Sequence, residues 1–275
     1  METHEPASLT EQTDSTLTSS ALLPAGCSPA ISDRGTGRAI LLLHGGGGSA
    51  TVFGLSQALA AKARVLLPTH PGFDGTLRPP HMNSVIQLAH HYLKLLESLA
   101  LSNVIVIGSS IGGWIASEMT LADASRLQGL VLINAVGIQV PGETVTDVSR
   151  LSRPELVRLA SHNPELVLAS APPPTPERLA ILASNAAALA AYDAGAAMMA
   201  PGLRERLASV ATPALVLWGE SDGIASPAYG KAYAAAFANG KFAAVPEAGH
   251  LPQIEQPARV LEHVDNFIRE LDSAA

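Results

Sequence analysis

Cysteine is almost missing from this chain. Cys27 is the only one in 275 residues, so no disulfide can form within it. That usage suits a reducing compartment. The thiol lies between Gly26 and Ser28, ahead of the first predicted strand, and carries no catalytic expectation. Charge is also scarce: Asp, Glu, Lys and Arg together make up 15% of the residues, with a formal net charge of −7. No cluster of Lys or Arg occurs, which argues against nucleic acid or an anionic membrane surface as a partner. No stretch of about 18 apolar residues runs free of Gly, Pro or charge, so no transmembrane helix is expected. The opening Met-Glu-Thr-His-Glu-Pro has neither the basic start nor the apolar run of a secretory signal. The expectation is a cytoplasmic protein, monomer or homodimer, whose partner is a small-molecule substrate.

What is present is apolar material. At 47% hydrophobic residues, the chain can bury a sizeable core, and its length suits one large domain or a domain carrying an insertion. Residues 1–30, rich in Ser, Thr, Glu and Pro, read as a flexible tail. Beyond them, continuous apolar strands at 38–43, 64–68, 104–107, 127–134, 213–218 and 241–245 alternate with helical stretches. That alternation predicts a mostly parallel sheet covered on both faces. The pattern breaks between 140 and 211. This stretch is proline-punctuated and helical, with no convincing strand, and is too long for an ordinary loop. The expected organisation is therefore a core of 31–139 and 212–275, with 140–211 inserted as a helical cap.

The centre of the chain is a short run at 104–113. Four β-branched residues lead into Gly108-Ser109-Ser110-Ile111-Gly112, a G-x-S-x-G pattern followed by a predicted helix. Strand, tight turn, serine and helix form the context of a nucleophile elbow. The helix start leaves the Ile111 N–H without a backbone partner beside the serine. A second glycine-rich turn, His44 followed by Gly45 to Gly48, closes the strand at 38–43. It lacks the Gly-Lys-Ser/Thr ending of a phosphate loop and suits an oxyanion hole built on the Gly46 N–H, with Gly47 beside it. His44 sits where a histidine would brace that loop. His70 and Asp74 read as loop hydrogen-bonding groups. His90 and His91 are adjacent and so face different ways, without metal-ligand spacing to Cys or carboxylate; no metal site and no cofactor are expected. Asp222 follows the strand at 213–218, and His250 follows the last strand on a glycine-flexed loop. A serine hydroxyl needs a base to become a nucleophile, histidine has the suitable basicity, and a carboxylate fixes its tautomer.

Five stretches carry a resemblance: Leu-Leu-His-Gly-Gly-Gly-Gly (42–48), His-Pro-Gly-Phe-Asp-Gly-Thr (70–76), Gly-Ser-Ser-Ile-Gly-Gly-Trp (108–114), Trp-Gly-Glu-Ser-Asp-Gly-Ile (218–224) and Glu-Ala-Gly-His-Leu-Pro-Gln-Ile-Glu-Gln-Pro (247–257). In this order the chain resembles the α/β-hydrolase superfamily, in its capped esterase, lactonase and cofactor-free haloperoxidase-like branch. The resemblance implies an eight-stranded, mostly parallel sheet with the second strand antiparallel. It makes Ser110 the nucleophile, Asp222 the acid, His250 the base, and Gly46 with Ile111 the oxyanion hole. Gly47, Ser109, Tyr192, Met198 and Leu251 are expected at the substrate pocket. In some relatives the acid follows an earlier strand, which would nominate Glu143 or Asp147. A serine at the elbow weighs against epoxide hydrolases and haloalkane dehalogenases. Ser109 before the nucleophile, and Leu251 after the histidine, depart from the Asn and Trp usual in carbon–carbon hydrolases of ring-cleavage products. The expected function is hydrolysis of a small, largely apolar ester or lactone. Carbon–carbon bond hydrolysis of vinylogous diketones, or a ligand receptor on the same scaffold, are the alternatives.

Overall fold

The computed structural model describes residues 31–170 and 174–274; the expected tail at 1–30 lies outside them. The apolar runs form strands β1 (Ile31–Arg34), β2 (Ala39–Leu43), β3 (Arg64–Pro68), β4 (Val104–Ser109), β5 (Leu127–Ile133), β6 (Ala214–Gly219) and β7 (Gly240–Val245). They make one sheet in the order β1-β3-β2-β4-β5-β6-β7. All neighbouring pairs are parallel except β1 with β3. The described residues thus hold seven strands rather than the expected eight, and the antiparallel one is the first of them. β1 (Ile-Ser-Asp-Arg) escapes sequence reading because it is short, polar and on the sheet edge, half-buried throughout.

β2, β4 and β6 are buried along their whole length, as strands covered on both faces must be. On one face pack α2 (Val85–Ser98), α3 (Ile111–Ala122) and α8 (Pro227–Ala236); on the other, α1 (Phe53–Ala60) and the long α10 (Pro257–Ala274). α2 starts at Ser84, whose hydroxyl accepts the Gln87 N–H, the capping that its sequence position suggests. α10 packs on the sheet through Val260, Val264, Phe267 and Leu271, a stripe at helical spacing.

Between β5 and β6 the chain leaves the sheet, and the described residues there form four α-helices: α4 (Arg153–Ala160), α5 (Pro164–Ser170), α6 (Pro176–Asp193) and α7 (Leu203–Leu207). Proline at the start of α4, α5 and α6 suits a first turn, whose N–H groups have no intrahelical partner. The insertion is tied down at its end by the Arg206–Glu118 ion pair at 2.7 Å, joining α7 to the buried flank of α3. A short helix, α9 (Pro252–Glu255), separates β7 from α10. Among the described residues no helix is long and apolar enough to cross a membrane.

Candidate active site

The elbow forms because β4 and α3 cross too closely for side chains. A Cβ on Gly108 would lie 2.3 Å from the Gly112 carbonyl oxygen, and one on Gly112 would lie 2.3 Å from that of Leu43. The turn forces Ser110 to φ 54° and ψ −119°, a conformation costly for any residue but glycine. That lifts its hydroxyl off the end of the sheet. Ile111 is the first residue of α3, so its N–H has no acceptor one turn back. Beside it runs the loop after β2: a Cβ on Gly45 would sit 3.2 Å from Ser110 Cβ.

Two further loops leave the same end of the sheet. His250 Nε2 is 3.1 Å from Ser110 Oγ, and His250 Nδ1 is 2.8 Å from Asp222 Oδ2. A carboxylate has only acceptors, so Nδ1 carries the proton and Nε2 presents its lone pair to the serine. Asp222 is held from every side. Its Oδ1 accepts the Ile224 and Ala225 amides at 2.8 and 3.3 Å, and its Oδ2 also accepts Asn134 Nδ2 at 2.7 Å. Asn134 is wholly buried, sits at φ 44° just past β5, and takes the Gly219 N–H on its own oxygen at 3.2 Å. Sequence reading places Asn134 only at the end of a strand. The signal that was available is its position: a polar residue at the carboxyl end of a buried strand, where functional groups gather. Glu143 and Asp147 lie elsewhere. Glu143 accepts the Ser226 hydroxyl, while Asp147 caps the turn at Ser149.

The glycine loop is braced from both sides. His44 Nε2 accepts the His70 N–H at 2.9 Å, so its Nδ1 donates to the Gly45 carbonyl at 2.8 Å. His70 Nε2 donates in turn to the His44 carbonyl at 2.9 Å, leaving Nδ1 to accept Tyr92 Oη at 2.5 Å. Both rings are fully buried. Burial pulls His44 down to about 4, against the Gly45 carbonyl and Asp74, which pull it up. Burial, with the neighbouring His44, holds His70 far below its ordinary range, and burial pushes the Tyr92 phenol far up. On the outer side, Asp74 Oδ2 accepts the Ser49 N–H and hydroxyl at 2.9 and 2.7 Å. Burial raises this carboxyl, but the Ser49 and Asn185 bonds and His44 outweigh it, so it lies below its usual range.

Asn185 belongs to α6. Its Oδ1 accepts the Asp74 N–H at 2.7 Å and its Nδ2 donates to Asp74 Oδ1 at 3.2 Å. One turn on, Leu189 stands over the glycine loop, with Cδ2 3.0 Å from where a Cβ on Gly46 would be. Tyr192 is buried, donates to the Pro71 carbonyl at 2.9 Å and stacks on Phe73. Ser109 is fully buried under the elbow, 3.4 Å from Gln253 Nε2. Gly47 is exposed; Met198 and Leu251 are half-buried, Met198 at φ 58°. The residues that sequence reading leaves out are therefore Leu189, Asn185 and Asn134. Among the described residues, no group of three His, Cys, Asp or Glu side chains is placed to hold a metal ion.

Comparison with known proteins agrees with this architecture. The model of the alpha/beta hydrolase family matches residues 40–263. Among curated proteins, the chain is 27% identical to a 2-hydroxymuconate semialdehyde hydrolase of Pseudomonas sp. (strain CF600), covering 92% of this chain and 95% of that one. Among solved structures, an esterase from Thermogutta terrifontis matches with a TM-score of 0.70 and 25% identity, over 88% of this chain and 93% of that one. A meta-cleavage product hydrolase from Pseudomonas fluorescens IP01 shares the fold, with a TM-score of 0.71 and 21% identity over 88% of this chain and 94% of that one. With the family model spanning most of its length and named hydrolases among its full-length relatives, the chain is a hydrolase that belongs to the alpha/beta hydrolase family.

Proposed function

We propose that the protein hydrolyses a small, largely apolar carboxylic ester or lactone through an acyl-enzyme. The observation that carries this reading is the 3.1 Å approach of His250 Nε2 to the hydroxyl of Ser110, a serine held at φ 54°. In this account Ser110 Oγ bonds to the substrate carbonyl carbon as His250 takes its proton. The resulting oxyanion lies against the Gly46 and Ile111 amides, each worth about 3 kcal/mol in comparable sites. The carbon–oxygen bond to the alcohol then breaks, and His250 returns its proton to the departing alkoxide. Water next attacks the acyl-enzyme, gives a proton to His250 and releases the acid; Ser110 recovers its proton. Asp222 keeps the imidazole in the productive tautomer and stabilises the imidazolium. The inserted helices act as a cap that excludes bulk water. Leu189 and the half-buried Leu251 suit an uncharged substrate.

A second reading has its own support, since the full-length relative described above is named as a 2-hydroxymuconate semialdehyde hydrolase. The same groups would then cleave a carbon–carbon bond. A substrate screen separates the two. The ester reading expects turnover of p-nitrophenyl butyrate or a γ-lactone, abolished in Ser110→Ala, and no loss of the visible absorbance of a ring-cleavage dienoate. Dienoate bleaching without ester turnover would reverse the ranking. Loss of neither, with tight binding of one small molecule, would favour a receptor.

A further inference from the structure

The two halves of the insertion touch opposite sides of the site. The end of α4 holds the base and acid loops: the Leu159 carbonyl accepts the Gly223 N–H and the Ala160 carbonyl accepts the His250 N–H, both at 2.8 Å. Glu255 ties this junction further, accepting the Gly249 N–H at 2.6 Å and the His162 N–H at 2.8 Å. α6 holds the glycine loop instead, through Asn185 on Asp74 and through Leu189 above Gly46. Ser184 adds a bond to the Gly72 carbonyl at 2.9 Å.

This division has a chemical meaning. In a tetrahedral intermediate on Ser110, one corner is the serine oxygen and a second is the oxyanion at Gly46 and Ile111. The leaving group must occupy the corner within reach of His250 Nε2, because it takes that proton. The remaining corner, the acyl substituent, points away from His250, and Leu189 of α6 stands over the neighbouring Gly46. Resting on the proposed ester chemistry, we infer that Leu189 determines acyl-chain specificity. The Asn185–Asp74 pair fixes its height above Gly46, and the α4 side of the insertion faces the alcohol. Sequence reading had no means of finding Leu189. It is one of three leucines in an alanine-rich helix, and the docking of α6 on Asp74 and Pro71 sets it over Gly46.

The test uses two ester series on the whole protein: p-nitrophenyl acetate, butyrate and octanoate, which vary the acyl group, and methyl, butyl and octyl butyrate, which vary the alcohol. Removing side-chain bulk from a specificity pocket changes discrimination on the order of tenfold or more. Leu189→Ala should raise the octanoate-to-acetate ratio of kcat/KM by at least about tenfold and leave the ratios of kcat/KM within the alcohol series unchanged. Leu189→Phe should lower the same ratio, which guards against a fold defect in either variant. Normal turnover with an unmoved acyl ratio, or a shift in the alcohol series instead, would overturn the inference alone. Wild-type protein that turns over no ester and takes no fluorophosphonate would overturn the ester reading, and the inference with it.

Discussion

The main-chain oxygen of Ala160 accepts the amide of His250 at 2.8 Å, so the candidate base hangs from the end of an inserted helix. A Cβ on Gly249 would lie 2.2 Å from that same oxygen. The first prediction uses this contact. Gly249→Ala must part α4 from the His250 loop, and a displacement near 1 Å at a catalytic group costs on the order of 100-fold. The expected outcome is a fall of that order in kcat/KM with circular dichroism unchanged. Full activity would show that the α4 contact does not position His250.

Asn134 supplies the second. It is the only side chain that donates to Asp222 besides His250 among the described residues. Hydrogen bonds to charged groups are worth about 1.5–3 kcal/mol, so Asn134→Ala should lower kcat by roughly tenfold or more, with KM little changed. Steady-state kinetics on the preferred ester read this directly. An unchanged kcat would reduce Asn134 to a packing role.

The buried histidine pair gives a pH dependence. His44 titrates near 6.5 when unfolded and at about 4 when folded, and His70 is shifted in the same direction. Between those values the unfolded chain binds more protons than the folded one, so stability is fully present above about pH 6.5 and is lost as pH falls toward 4. His44 alone accounts for about 3 kcal/mol across that window. Urea melts at pH 7.5 and 4.5 should show the loss. A His44→Gln variant should start less stable yet have a flatter slope, and an equally steep slope would exclude His44 as its source.

At the other end of the insertion, Glu118 is buried at 4% side-chain exposure while its partner Arg206 is 46% exposed. Removing one partner of a buried pair costs about 3–5 kcal/mol; exposure of the arginine reduces this to roughly 1–3 kcal/mol. Arg206→Ala should therefore lower Tm by several degrees, and Arg206→Lys should restore part of it. A Tm unchanged from wild type would mean that α7 is not held by this ion pair.

Much of the core was legible because its signals are local. The β-branched run before Gly108, the glycines after His44, Asp222 just past a buried strand and His250 on the glycine-containing loop after the last strand all announce themselves in sequence. β1 did not, because four residues on a sheet edge bury too little to show a pattern. Asn134 and Leu189 did not either, since their importance comes from contacts 88 residues away, to Asp222, and across the insertion, to Gly46. Alanine-rich α6 carries helical propensity but little to say which face turns inward; Asn185, Leu189 and Tyr192 become a face only through Asp74, Gly46 and Pro71.

The most direct test of the central claim is covalent labelling of the intact protein by a fluorophosphonate, read by mass spectrometry. The account predicts one adduct, mapped to Ser110, absent in Ser110→Ala and strongly suppressed in His250→Ala. Folded protein that takes no label, or takes it on another residue, would contradict an activated serine at this elbow.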